Sequence, residues 1–465
     1  MRRLTLVVLL VSLVAGLVGV TGTATATTAP ALGRHTYTGA IDGADYRVET
    51  PAQWNGTLIL FSHGYIPAGV PIPPGIPLAN RVETEQWLLD HGYALAGSDF
   101  QGRTGMVIEE ALADNLALLD WFDTTIGRPR HTIASGYSMG GGIATRLAER
   151  YPHQIDGVLA ISGNQDVPAN LNRGLDVTFA VRTLLTDDQS LELVKAADPV
   201  HSVQVLQQAA AQALTTPEGR AKLALIGAIG GLPAWASAHE PKPTDLVEGI
   251  RQQEWWTEAA YIASLGPTGR QDIERRAGGN PSFNVGVDYA QQLARSGQRD
   301  LVDRAYRAAG LTVRDDLQRL ADAPRIAPDP QAVAWMYRFG VAAGTTPTPV
   351  VTLHGIAEGI IASDARWYGE QVRRFGNPDM LRQLTVDRGD HGPFSAADEI
   401  LALRALLDRV EKGRWPNLSP ARLNAEAATF TPAQQTVFDI FTFSDKVMPP
   451  AFTSQQPPRA LRPSR

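Results

Sequence analysis

Between residues 57 and 161, short apolar runs alternate with stretches of helical spacing. The runs at 57–61 (Thr-Leu-Ile-Leu-Phe), 93–97, 132–136 and 157–161 have the length and continuity of strands covered on both faces. Residues 82–91, 108–126 and about 140–150 lie between them and read as helices. In the second of these, Leu112, Leu116, Leu119 and Phe122 fall on one face. Upstream, 35–42 and 44–50 flank Asp42-Gly43, a two-residue hairpin signal. Strand and helix in alternation predict the α/β class, a mostly parallel central sheet flanked by helices.

The rhythm then breaks. From 166 to 345 the pattern is helix after helix, with joints near Pro199, Pro233, Pro267 and Pro281. Apolar strand signals return at 349–353 and 384–386. The simplest organisation is one sheet interrupted by a helical insertion: core at 32–165, insertion or cap at 166–345, core again at 346–412, and a C-terminal extension at 413–465. Phe430, Phe438, Phe441 and Phe443 mark an ordered part of the extension, whereas its Pro- and Arg-rich end, 456–465, is expected to be mobile.

Residues 1–31 differ in kind. Arg2 and Arg3 precede an apolar run at 4–20, followed by small residues such as Ala24-Thr-Ala26 and Ala29-Pro-Ala31. This is the order of a cleavable export signal, so a secreted protein with no stable membrane span in its mature form is expected. The alternative is an uncleaved anchor. The chain has 48 acidic and 42 basic residues, a net charge of −6, and no basic block. A duplex-binding protein needs clustered cations to displace counterions, so nucleic acid is not an expected partner. There is no cysteine, which excludes disulfides, thiolate catalysis and cysteine metal sites. No His-Glu-x-x-His and no calcium-loop spacing occurs, and neither a metal nor another cofactor is expected.

Gly136-Tyr-Ser-Met-Gly140 fits G-x-S-x-G and falls directly after a buried strand and before a helix. So sharp a turn excludes side chains beside the serine and leaves the Ser138 hydroxyl presented for attack. A serine hydroxyl needs a base to act as a nucleophile. Of nine histidines, His391, in Arg388-Gly-Asp-His-Gly392, lies on the loop just beyond the last expected strand. An idle serine on a glycine-rich turn is the bland alternative.

With these motifs the two sheet-forming parts resemble the α/β-hydrolase superfamily; the insertion lies outside the resemblance. Ser62-His63-Gly64-Tyr65 is similar to the superfamily's His-Gly strand end, and implies an oxyanion hole made by the backbone N–H groups of Tyr65 and Met139. His63 is expected to brace the loop, and Asp99 in Ser98-Asp99-Phe-Gln-Gly-Arg103 to be structural. The resemblance implies His391 as the base. Val351-Thr-Leu-His-Gly355 followed by Ile-Ala-Glu358 resembles the segment that carries the acid, with Glu358 in the aspartate's place. Asp166 and Asp364 remain rivals for that role.

An insertion after the strand at 157–161 is where the superfamily usually carries a lid. Trp235, Trp255 and Trp256 are its candidate substrate contacts, although most aromatics in such a layer serve its own core. The expected activity is cleavage of a small-molecule or lipid-like carboxylic ester through an acyl-enzyme on Ser138. The alternatives are an amide or peptide hydrolase of the proline-type aminopeptidase kind, and a non-catalytic binding module that keeps the fold.

Overall fold

The computed structural model describes residues 33–464, apart from 69, 73, 346 and 360; the expected export segment, residues 1–31, lies outside the described residues. His35–Ile41 (β1) and Ala44–Thr50 (β2) pair antiparallel around Asp42 and Gly43, both at positive φ (51° and 91°), as a tight hairpin requires. Thr57–Ser62 (β3), Ala94–Ser98 (β4), His131–Tyr137 (β5), Gly157–Ile161 (β6), Val350–Ala357 (β7) and Leu381–Gly389 (β8) follow in the chain. With Phe452–Thr453 (β11) they form a sheet in the order β1-β2-β4-β3-β5-β6-β7-β8-β11, parallel from β4 to β8. A mostly parallel central sheet flanked by helices is the arrangement that the resemblance to α/β-hydrolases implies.

Alternation along β3 divides the core. Leu58 and Leu60 pack on one side with Phe122 and Ile143, from the helices Ile108–Thr125 and Met139–Arg150. Ile59 and Phe61 pack on the other with Leu88 and Leu406, from Val82–Asp90 and Ala396–Lys412. Burial on both faces explains why the central strands are continuously apolar. Strand β8 is longer than its apolar signal at 384–386, because Arg382, Gln383, Asp387 and Arg388 interrupt the pattern near the sheet edge.

The register sets Ser62 opposite Gly136 and Ile161 opposite both Tyr137 and Leu353. The carboxyl ends of β3, β5, β6 and β7 therefore share one edge. After β3 the chain lays β4 on one side, and later β5 on the other. Loops from such a reversal of strand order diverge and leave a crevice at the strand ends, where ligands bind in open α/β sheets.

Among the described residues, the stretch between β6 and β7 is helical. Its first helix, Val167–Leu185, is buried almost end to end and forms the axis of the insertion. Asp166, Asp198, Asp245 and Asp288 each cap a helix by accepting the N–H of its third residue. An isolated bridge between Asp166 and Val341 ties the two ends of the insertion together.

In the extension, Thr436–Asp439 (β9) pairs with Ser444–Val447 (β10), and β11 adds antiparallel to β8. The terminal stretch departs from the expectation of mobility. Leu461 is buried, Arg462 pairs with the buried Asp176 (2.8 Å), and the Ser464 N–H and hydroxyl both donate to Asp166 (2.8 and 2.6 Å). Composition alone suggested a loose end; two buried carboxylates that need donors hold it in place. No helix among the described residues is long and apolar enough to cross a membrane.

Candidate active site

Ser138 joins β5 to the helix Met139–Arg150 with φ 56° and ψ −118°. A non-glycine residue in such a conformation costs about 1–3 kcal/mol and persists only where its surroundings enforce it. Here its N–H donates to Ile161 O (2.9 Å), and its carbonyl accepts the N–H of Asn164 (2.9 Å). Glycine is required on both sides for steric reasons. A Cβ on Gly136 would overlap the Gly140 carbonyl, and one on Gly140 would overlap the Ser62 carbonyl oxygen at the end of β3.

His391 Nε2 lies 3.0 Å from Ser138 Oγ, across 253 residues of chain. The imidazole is buried and Ser138 is only 9% exposed, so solvent competes little for this contact. The His391 backbone is held at both ends: its N–H donates to Asp390 Oδ1 (2.7 Å), and its carbonyl accepts the Tyr137 hydroxyl (3.1 Å). Burial lowers the His391 pKa, the Glu358 charge opposes that shift, and His354 adds to it. The net effect is downward, which leaves a neutral imidazole at neutral pH, able to accept a proton.

Glu358 is fully buried. Its Oε1 accepts the Ser162 hydroxyl (2.5 Å) and the Gly355 N–H (2.9 Å), while Oε2 lies 3.4 Å from His354 Nδ1. Burial pushes its carboxyl up, but His354, the His391 charge and the Gly355 N–H together bring it below its ordinary value. Glu358 is therefore ionised. No hydrogen bond joins it to His391, whose Nδ1 is buried without a hydrogen-bond partner among the described residues.

The other two acidic candidates are committed elsewhere. Asp166 caps the first helix of the insertion and receives Ser464. Asp364 accepts the N–H groups of Gln165 and Asp166 (3.0 and 3.2 Å) and lies 3.8 Å from Arg173. Burial pushes the Asp364 carboxyl up to about 7.

Met139 is the first residue of its helix, so its N–H has no intrahelical acceptor. The chain at Gly64 runs against the elbow, where a Cβ would lie 3.5 Å from Ser138 Cβ, and Tyr65 is the next residue. His63 stacks on Phe100 (4.5 Å between centroids), and its Nδ1 lies 2.7 Å from Gly64 O. Burial lowers its pKa. Asp99 pairs with Arg103 (2.6 Å).

The three tryptophans separate. Trp256 is buried with its ring against Gly359, next to Glu358. Trp255 is half-buried, edge-on to Trp256 and to Phe441 of the extension. Trp235 packs on Gly389, two residues before His391, and donates to Glu240 O (3.0 Å). A π-helical segment, Thr257–Ser264, follows Trp256 directly; such segments often mark functional sites. A cavity of about 520 Å³ lies elsewhere in the insertion, lined in part by Tyr289, Arg299, Arg314 and Arg325.

Sequence reasoning missed four residues of this constellation: Tyr137, Ser162, His354 and Asp390. Three of them lie inside motifs already singled out, and Ser162 directly follows β6. The missing signal was hydrogen-bond direction, which spacing does not carry. Among the described residues, no group of His, Asp and Glu is arranged to hold a metal ion.

No protein-family model matches the chain. It is 27% identical over 414 residues to an o-phthalyl amidase of Xanthobacter agilis, covering 83% of this chain and 89% of that one. Among solved structures it is similar to feruloyl esterase B from Aspergillus oryzae (13% identity, TM-score 0.40, 82% of this chain and 81% of that one). A lipase in its open form is also similar (15% identity, TM-score 0.36, 81% and 99%).

Proposed function

We propose that this protein is a serine hydrolase that cleaves carboxylic esters through an acyl-enzyme formed on Ser138. The reading is carried by one observation, the 3.0 Å approach of His391 Nε2 to a serine hydroxyl held at a strained strand-to-helix corner. Ser138 Oγ attacks the carbonyl carbon while His391 takes its proton. The negative charge that develops on the carbonyl oxygen is met by the N–H groups of Met139 and Tyr65, each worth ~3 kcal/mol. The tetrahedral adduct collapses, and His391 returns the proton to the leaving alcohol. Water then gives a proton to His391 and attacks the acyl carbon, releasing the acid and restoring the serine. Glu358 stabilises the transient imidazolium by its charge.

Trp235 and Trp256, packed beside the histidine and glutamate loops, are proposed to shape the substrate pocket, with Trp255 at its margin. The substrate is a small or lipid-like ester. We also propose export from the cell, on the order of charged, apolar and small residues in 1–31; the N-terminal sequence of the mature secreted protein tests this.

A second reading, amide cleavage, is favoured by the relative described as an o-phthalyl amidase. The same residues serve it, with His391 protonating a leaving amine. Matched aryl esters and anilides of the same acids decide between the two. Turnover of esters alone supports the first reading, and comparable turnover of anilides the second. Turnover of neither, by folded wild type that also resists a fluorophosphonate, would leave a binding module on this fold.

A further inference from the structure

Asp390 has no function in the reaction as described, yet it is tightly constrained. It sits at φ 88°, a conformation that favours glycine, and its side chain is fully buried. Its two oxygens point to different parts of the chain. Oδ1 accepts the N–H of His391 (2.7 Å), and Oδ2 accepts the N–H of Ile440 (2.8 Å), fifty residues later in the C-terminal extension.

The extension also holds the strand that leads into the loop of Asp390 and His391. Ala451 O accepts the N–H of Asp387 (2.8 Å), Pro449 O accepts from Arg388 (2.8 Å), and β11 lies along β8. On its other side the extension reaches the helical insertion. Asp439 is fully buried, and its Oδ2 accepts the Ser237 hydroxyl and the His239 N–H (2.9 Å). The Phe441 ring meets Trp255 at 5.4 Å. A segment outside the hydrolase core thus joins the insertion to the loop that carries His391.

We propose that Asp390 is a positioning residue for His391, and that the extension sets it through the Ile440 N–H. With the Tyr137 hydroxyl on the His391 carbonyl, this fixes the backbone from which the imidazole reaches Ser138. A displacement of ~1 Å at such a site lowers rate about 10²-fold. The inference rests on the serine-hydrolase reading and extends it to a part of the chain that the core fold does not need.

The test uses the full-length protein. Asp390→Asn keeps the size of the side chain and its tolerance of positive φ, but replaces one acceptor oxygen with an NH₂ that opposes a backbone N–H. With p-nitrophenyl acetate, kcat falls about 10- to 100-fold while KM stays within about twofold. The rate of fluorophosphonate labelling of Ser138 falls by a similar factor. Asp439→Asn, made on the extension side, produces a smaller loss of the same kind, in kcat and not in KM. Wild-type kcat in folded Asp390→Asn overturns the proposal, as does a change confined to KM. Should Asp390→Asn fail to fold, an unchanged kcat in Asp439→Asn overturns it. Failure of the underlying reading has another signature: wild type that neither labels nor turns over substrate.

Discussion

Glu358 and His391 act on each other through charge without a hydrogen bond between them. Each shifts the other's titration, yet among the described residues His391 Nδ1 has no hydrogen-bond partner and the glutamate oxygens are taken by Ser162, Gly355 and His354. In the proposed mechanism this arrangement would stabilise an imidazolium while leaving its ring to be oriented by the backbone at Asp390 and Tyr137. It also separates the three acidic candidates, since the carboxylate whose charge reaches His391 is Glu358.

Glu358→Gln is accordingly expected to lower kcat about 10²-fold or more, with folding retained. Asp166→Asn and Asp364→Asn, at carboxylates spent on backbone N–H groups, leave kcat of the folded protein within a few-fold. Steady-state kinetics on all three variants checks this. Wild-type kcat in Glu358→Gln would remove it from the mechanism.

The pH dependence has a definite sign. His391 must be neutral to accept a proton, and burial lowers its pKa from the ordinary 6.5. The value of kcat/KM therefore rises with pH through a midpoint below 6.5 and then levels off. The Glu358 charge raises the His391 pKa, so Glu358→Gln moves that midpoint to still lower pH. A pH–rate profile of each protein reads both effects, and a midpoint that moves upward in the variant contradicts the assignment.

Gly140→Ala tests the corner itself. The added methyl would collide with backbone, the Ser62 carbonyl oxygen, rather than with a flexible side chain. We expect a loss of ~1–3 kcal/mol in stability, seen as a lower Tm, together with loss of turnover as β3 is pushed from the elbow. A fully active, equally stable variant would show that the approach is looser than described.

Arg462→Ala tests the tail. Asp176 is buried, and burial pushes its carboxyl up while Arg462 pulls it down. Removing the cation leaves Tyr289 and Gln292 as donors but takes away the paired charge, which is expected to cost ~3 kcal/mol. Chemical denaturation measures it; an unchanged midpoint would mean that the tail is not docked in solution.

Much of this fold was legible because burial on both faces writes itself into sequence. The continuously apolar strands β3 to β6 and the hairpin at Asp42-Gly43 are of this kind. Strand β8 was only half visible, since a strand near the sheet edge alternates and its polar positions hide its length. The short β11 escaped notice because its two residues pair with a strand remote in sequence. At the site, the G-x-S-x-G turn marked Ser138 through steric need, and the loop after the last strand marked His391. The web around them was not legible: whether Asp390 faces solvent or accepts two N–H groups depends on Ile440, which no local pattern connects to it. The docking of Arg462 and Ser464 was hidden for the same reason, as composition reports the character of a segment and not the carboxylates waiting for it.

The most direct measurement is mass spectrometry of the protein after brief exposure to a fluorophosphonate at neutral pH. The expected result is a single adduct per chain, mapped to the peptide containing Ser138, absent in Ser138→Ala and formed far more slowly in His391→Ala. An adduct on another residue, or labelling of Ser138 at the same rate without His391, would contradict the claim that this imidazole activates this hydroxyl.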